Sequence, residues 1–232
     1  MYFYILISKQ FRDKSLIKFE NVTATYTENI GIFNLTFHIP KGELIFLMGP
    51  TGAGKSTVLR TIYKDVPVVD GRLYINGEDI NKIRRRLIPR FRRKIGMIFQ
   101  DYRLIPDRTV FENIALPLQI EGKANSQIIV KVHEIIDKVG LVNRKKNYPS
   151  QLSGGEKQRV SIARALVKNP LVILADEPTG NLDPNVSDEI LDLLEIATES
   201  GTSVLMSTHN FPLIQPRKKR FIELNEGRLV TQ

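Results

Sequence analysis

The sequence predicts an α/β fold with parallel strand pairing, built around a phosphate-binding loop, with a mixed β region in front and a helical insert behind. Three observations predict it. The stretch GPTGAGKST at residues 49–57 follows the apolar run LIFLM and precedes TVLRTIY, so a glycine-rich turn joins a strand to a helix. A second continuous apolar run, LVILAD, ends in two carboxylates, Asp176 and Glu177. The helix-like VSDEILDLLEIATES then leads into TSVLMST, and strand, helix and strand in succession pair in parallel.

The elements follow in chain order. IKFENVTATY, a turn around residues 27–31, and IFNLTFHI read as short strands. Pro40-Lys41-Gly42 makes a tight turn into ELIFLM, whose residues 44–48 read as a buried strand. GRLYINGEDI reads as a strand, a turn at Gly77 and a short return, and KIGMIF at 94–99 as a further buried strand. TVFENIALPLQI is expected to be helical until Pro117, where the missing N–H ends the pattern. IVKVHEIIDKVGL has apolar residues three and four apart, an amphipathic helix ending near Gly140. Residues 101–165 therefore form a mainly helical subdomain, inserted between 17–100 and 166–232, the nucleotide-binding core of a single domain. YFYILI near the start is open to two readings, a strand or a product of an upstream start choice. It is too short to span a bilayer and lacks the features of a signal peptide, so the chain is expected to stay inside the cell.

Candidate chemistry concentrates at strand ends. Glycines in the loop let backbone N–H groups converge on one anion, and the new helix adds its positive N-terminus. Gly49, Pro50, Thr51, Gly52, Ala53, Gly54, Lys55, Ser56 and Thr57 are the expected nucleotide-binding residues, Lys55 reaching the outer phosphates and Ser56 holding Mg²⁺. Asp176 supports the metal, and Glu177 is placed to orient or deprotonate an attacking water. Gln100 and His209 each follow a buried strand and so reach the same crevice. LSGG, with Ser153, Gly154 and Gly155 at a helix start, is a second anion site by the same physics.

Composition bounds the rest. Apolar residues make up 42% of the 232, enough for a good core. With no cysteine, disulfides, thiol nucleophiles and cysteine-ligated metals are excluded. A net charge of +9 favours anionic partners. It is uneven: KIRRRLIPRFRRK at 82–94 holds eight basic residues and no acid, open to reading as a solvated face or as a patch facing anionic lipid or a partner. RKKR at 217–220 is a second cluster.

The set GPTGAGKST, Gln100, LSGGE, LVILADEP, NLDP and His209 resembles the ATP-binding-cassette (ABC) ATPases, a type of P-loop NTPase, over nearly the whole chain from about residue 17. The resemblance implies ATP and Mg²⁺ as ligands and two copies closing head to tail as an ATP-induced homodimer. Ser153, Gly154 and Gly155 of one copy would then grip the γ-phosphate held by the other. Glu177 resembles the catalytic base, His209 the switch histidine, and Gln100 the residue that reaches Mg²⁺ and water and senses a membrane partner. Asp183 lies in the loop linking the two sites, and Tyr26 matches the aromatic that stacks on adenine. Lys157 and Asn210 depart from the family's usual glutamine and aspartate, and Pro212 and Pro216 interrupt the usual helical tail.

RFRRKIGMIFQDYRLIPDRTVFENIALPLQIEG, with Asp101 after Gln100, resembles the cell-division branch of that family. Membership implies an FtsX-like integral membrane protein as partner, a peripheral position on the cytoplasmic face of the bacterial inner membrane at the division site, and control of peptidoglycan hydrolysis. No specific nucleic acid is expected. Lipoprotein-release and macrolide-export ATPases are the alternative, although in them the residue after the glutamine is usually not acidic. Methionine-importer ATPases share RTVFENIALPL but carry a further C-terminal domain.

Overall fold

The computed structural model of the chain describes residues 15–27 and 30–231. YFYILI lies outside them, as do two residues of the turn expected at 27–31. A four-stranded antiparallel sheet, ordered β2-β1-β4-β5, is built from β1 (Ser15–Thr27), β2 (Ile30–Pro40), β4 (Val68–Ile75) and the short β5 (Glu78–Asp79). A six-stranded sheet runs β10-β9-β3-β8-β7-β6. Its parallel strands are β3 (Leu44–Met48), β6 (Ile95–Ile98), β7 (Val172–Asp176), β8 (Ser203–Thr208) and β9 (Phe221–Asn225). The edge strand β10 (Arg228–Thr231) runs back antiparallel to β9.

The apolar runs are continuous because β3, β7 and β8 are covered on both faces. Ile45, Leu47, Leu174 and Leu205 meet Phe19, Ile39 and Leu73 of the antiparallel sheet and Val58, Leu59 and Ile62 of helix α1 (Lys55–Ile62). Phe19 and Phe37 stack there with centroids 4.3 Å apart. The alternate residues Phe46, Ile173, Val204 and Met206 pack against Ile190, Leu191 and Leu194 of helix α6 (Pro184–Glu199). Each such large side chain contributes about 1.5–3 kcal/mol on burial.

After α2 (Ile88–Arg93) and β6 come three helices around a separate apolar cluster: α3 (Val110–Ile120), α4 (Asn125–Lys138) and α5 (Gly154–Leu166). Thr109 with Glu112, and Ser153 with Glu156, form capping boxes that start α3 and α5. Gly140, at φ 70°, ends α4: its N–H donates to Asp137 O, and that of Leu141 to Ile136 O. The helix expected to stop at Pro117 instead continues to Ile120. The proline costs one bond to the carbonyl of Asn113, and burial of Ile114 and Leu118 on either side offsets it.

In the proline-interrupted tail, Pro212 sits in the first turn of the short helix α7 (Phe211–Ile214), where its missing N–H is harmless. The chain then forms β9 and β10, strands not anticipated from the sequence. Among the described residues, two of the four basic residues of the cluster at 217–220 are paired with acids. Arg217 pairs with Asp188, Asp192 and Glu195 of α6, and Lys219 lies 3.7 Å from Glu195. Among the described residues no helix is long and apolar enough to cross a membrane.

Candidate active site

Parallel pairing brings the carboxyl ends of β3, β6, β7 and β8 to one edge, and each delivers a candidate residue. The loop after β3 needs its first glycine for space. Gly49 has φ 145°, and a Cβ there would lie 2.2 Å from the carbonyl oxygen of Leu224 on β9. Gly54, at φ 98°, starts α1, and no side chain caps that helix, so its first N–H groups are free for an outside acceptor. Lys55 is only 5% exposed and folds back along the loop, its Nζ donating to Gly49 O at 2.8 Å and Pro50 O at 3.0 Å.

Asp176 ends β7, and its Oδ1 accepts from Ser56 Oγ at 2.9 Å and from Ser207 Oγ at 2.8 Å. Glu177 follows in left-handed backbone, φ 44°, a conformation that costs an L-residue about 1–2 kcal/mol. The same Ser207 steadies it, its Oγ accepting from the Glu177 N–H at 3.0 Å. The Glu177 carboxylate then has two neighbours: Lys55 Nζ lies 3.5 Å from Oε1, and His209 Nδ1 lies 3.1 Å from Oε2. A carboxylate only accepts, so Nδ1 carries the proton in that bond.

A cleft of about 530 Å³ collects Thr51, Gly52, Gly54, Lys55, Ser56, Thr57, Gln100, Asp176 and Glu177 with Ile30 and Gly31. His209 lines an adjoining cleft of about 410 Å³ that shares Glu177. Tyr26 is not in the cleft wall; it stands 50% exposed near the end of β1, its hydroxyl 3.4 Å from Arg60 Nη1 of α1. Ser153, Gly154 and Gly155 are likewise outside both clefts. Their glycines have a packing reason of their own: a Cβ on Gly155 would lie 2.6 Å from Val186 Cγ1 of α6, and one on Gly154 3.2 Å from the Tyr102 hydroxyl. Asp183 caps α6, its Oδ1 accepting from the Val186 N–H at 3.1 Å.

Ser207 escaped the sequence reading. Its only signal is a hydroxyl inside an apolar strand, and its partners depend on the register that sets Asp176 opposite Ser207. Together these groups form a cradle for a polyphosphate with a carboxylate aimed alongside it, the requirements of phosphoryl transfer to water.

Residues 32–180 match the family described as ABC transporter. The chain belongs to that family and is an ABC ATPase. It is 47% identical over 215 residues to the cell division ATP-binding protein FtsE of Escherichia coli K12, spanning 92% of this chain and 97% of that protein. It is 42% identical to FtsE of Streptococcus pneumoniae D39, spanning 93% and 94%. Among solved structures, the dimeric post-hydrolysis state of the ATP-binding cassette MJ0796 bound to ADP and Pi superposes with a TM-score of 0.82, at 36% identity over 93% of this chain and 97% of that one. CbiO1 of Clostridium perfringens, part of the ABC transporter complex cbiONQ, gives a TM-score of 0.87 at 27% identity, covering 94% and 88%.

Proposed function

We propose that this chain is the ATP-hydrolysing subunit of an FtsEX-like membrane complex in cell division, driving an FtsX-like integral membrane protein that regulates peptidoglycan hydrolysis. The observation that carries this reading is the convergence of Lys55, Ser56, Asp176, Glu177 and His209 in a chain 47% identical to FtsE over nearly its full length.

The residues fit Mg²⁺. Ser56 Oγ and Asp176 Oδ1 sit 2.9 Å apart with Gln100 on the same cleft wall, an oxygen donor set suited to a hard cation. Among the described residues no group of three His, Cys, Asp or Glu could hold a metal, so phosphate and water oxygens would complete the shell. When bound, the ion neutralises charge on the phosphate oxygens.

The loop amides and Lys55 bind and orient the triphosphate, and Tyr26 offers its exposed ring to the adenine. Glu177 accepts a proton from the water that attacks the γ-phosphorus as the bond to the β-phosphate oxygen breaks, leaving ADP and phosphate. His209 holds that carboxylate in place, and Ser207 holds its backbone. Ser153, Gly154 and Gly155 of a second copy close the site, exclude water and contact the γ-phosphate. Their place outside this copy's clefts supports that division of labour. ATP-driven closure of the homodimer is the stroke passed to the partner through the segment after Gln100.

The complex sits at the cytoplasmic face of the bacterial inner membrane, at the division site. The run at 82–94 adds contact with anionic lipid. Arg84, Arg85, Arg86, Arg90 and Arg93 are exposed, and among the described residues none has a carboxylate within ion-pair distance. Purification of the chain from membranes tests the reading. Recovery of a partner with four spanning helices is expected, and recovery of a lipoprotein-release permease with a large periplasmic domain would overturn it.

A further inference from the structure

The turn after Gln100 is strained and tightly held. Tyr102 and Arg103 adopt left-handed backbone in succession, φ 59° and 46°. Neither is glycine, so each conformation has to be stabilised from outside. Within the turn, Arg103 Nε lies 3.3 Å from Asp101 Oδ1, and its guanidinium stacks 3.9 Å from the centroid of Phe99. These contacts are local. The long-range hold comes from Arg164, on the helix α5 that starts at Ser153. Its Nη2 donates to Tyr102 O at 2.7 Å and its Nη1 to Arg103 O at 2.5 Å.

Arg164 has no carboxylate partner among the described residues, and burial works against its charge. A guanidinium still stays protonated at neutral pH, so its charge is directed into the two carbonyls of the strained turn. The same elements also approach each other at the start of α5, where a Cβ added to Gly154 would lie 3.2 Å from the Tyr102 hydroxyl. The turn is thus fastened to α5 by the Arg164 fork toward the helix C-terminus, and the Tyr102 hydroxyl lies close beside the helix N-terminus.

We infer that Arg164 is a positioning residue that makes the turn after Gln100 and the helix α5 move as one body, so that engagement of Ser153–Gly155 by the other copy's nucleotide sets Gln100 in this copy's own site. The inference rests on the two-copy reading above. In that reading the end of α5 serves one nucleotide and Gln100 serves the other, and a shared rigid body links the two. The fork geometry matters: two parallel donors fix two adjacent carbonyls in a way a single ammonium cannot.

The test is ATP turnover by the full chain in complex with its membrane partner, for wild type, Arg164→Met and Arg164→Lys. The Arg164→Met variant is expected to lose about tenfold or more in kcat with KM for ATP within twofold, because the phosphate loop is untouched. Arg164→Lys should fall between the two, and it decides the matter by the same kcat and KM split if the methionine variant does not fold. Hydrogen exchange at residues 99–105 should accelerate in both variants. Wild-type kcat in the variants, unchanged exchange at 99–105, or a rise in KM that matches the fall in kcat would overturn the inference. Failure of the wild-type complex to hydrolyse ATP would instead overturn the functional reading beneath it.

Discussion

Glu177→Gln changes one oxygen for an amide nitrogen at the point where Lys55 and His209 converge. The carboxylate lies 3.5 Å from the Lys55 ammonium, and Lys55 is almost fully buried. At an effective dielectric of about 20, that separation corresponds to an attraction of roughly 5 kcal/mol before desolvation is counted. The amide removes this attraction, and it also removes a negative charge from beside the incoming γ-phosphate. Lys55 is then held only by the loop carbonyls at 2.8 and 3.0 Å, which leave it at the phosphate loop. ATP affinity is therefore expected to be retained or to rise severalfold. Turnover is expected to fall about 10²–10⁴-fold, the contribution of a placed general base. Single-turnover hydrolysis beside equilibrium ATP binding separates the two effects, and the variant should accumulate as a closed dimer with ATP. Lys55→Ala should do the reverse, losing phosphate affinity first. Hydrolysis at the wild-type rate by Glu177→Gln would refute the assignment of that carboxylate as the base.

Two further outcomes follow. Charge reversal at Arg84, Arg85 and Arg86 should leave ATP affinity unchanged and weaken flotation with acidic liposomes, more at low salt than at high, since each well-placed arginine contributes about 1 kcal/mol that salt screens; unchanged flotation at every salt concentration would return the run to a solvated face. Burial lowers the pKa of Lys168 from 10.5 to about 8. Between those values the unfolded chain binds the proton and the folded chain does not, so stability should rise as pH climbs from about 8 to 10.5. Lys168→Met should flatten that rise in chemical denaturation, and an identical slope in the variant would contradict it.

Most of the candidate site is legible because its elements are local in the chain. A strand, a glycine-rich turn and a lysine at a helix start lie within residues 44–62, and Asp176 and Glu177 directly end an apolar run. What stayed hidden depends on pairing between distant segments. Ser207 meets Asp176 through the parallel register, and the demand for glycine at 49 comes from Leu224 of β9, 175 residues further along the chain. That tail strand itself was obscured by Pro212, Pro216 and a basic cluster, whose Arg217 turned out to be a tie to three carboxylates of α6. Pro117 misled in the opposite sense. Local chemistry argues for a helix end there, and the packing of Ile114 and Leu118 overrides it.

The central claim is that each nucleotide is hydrolysed between two copies of this chain. Mixing Ser153→Arg with Lys55→Ala in reconstituted complexes tests it most directly. Ser153→Arg puts bulk where the other copy's γ-phosphate would sit, and Lys55→Ala disables the chain's own phosphate loop. In a mixed pair arranged head to tail, one site carries both defects and the other carries neither. ATPase activity above that of either variant alone is predicted. No recovery, with mixed pairs shown to have formed, would contradict the account.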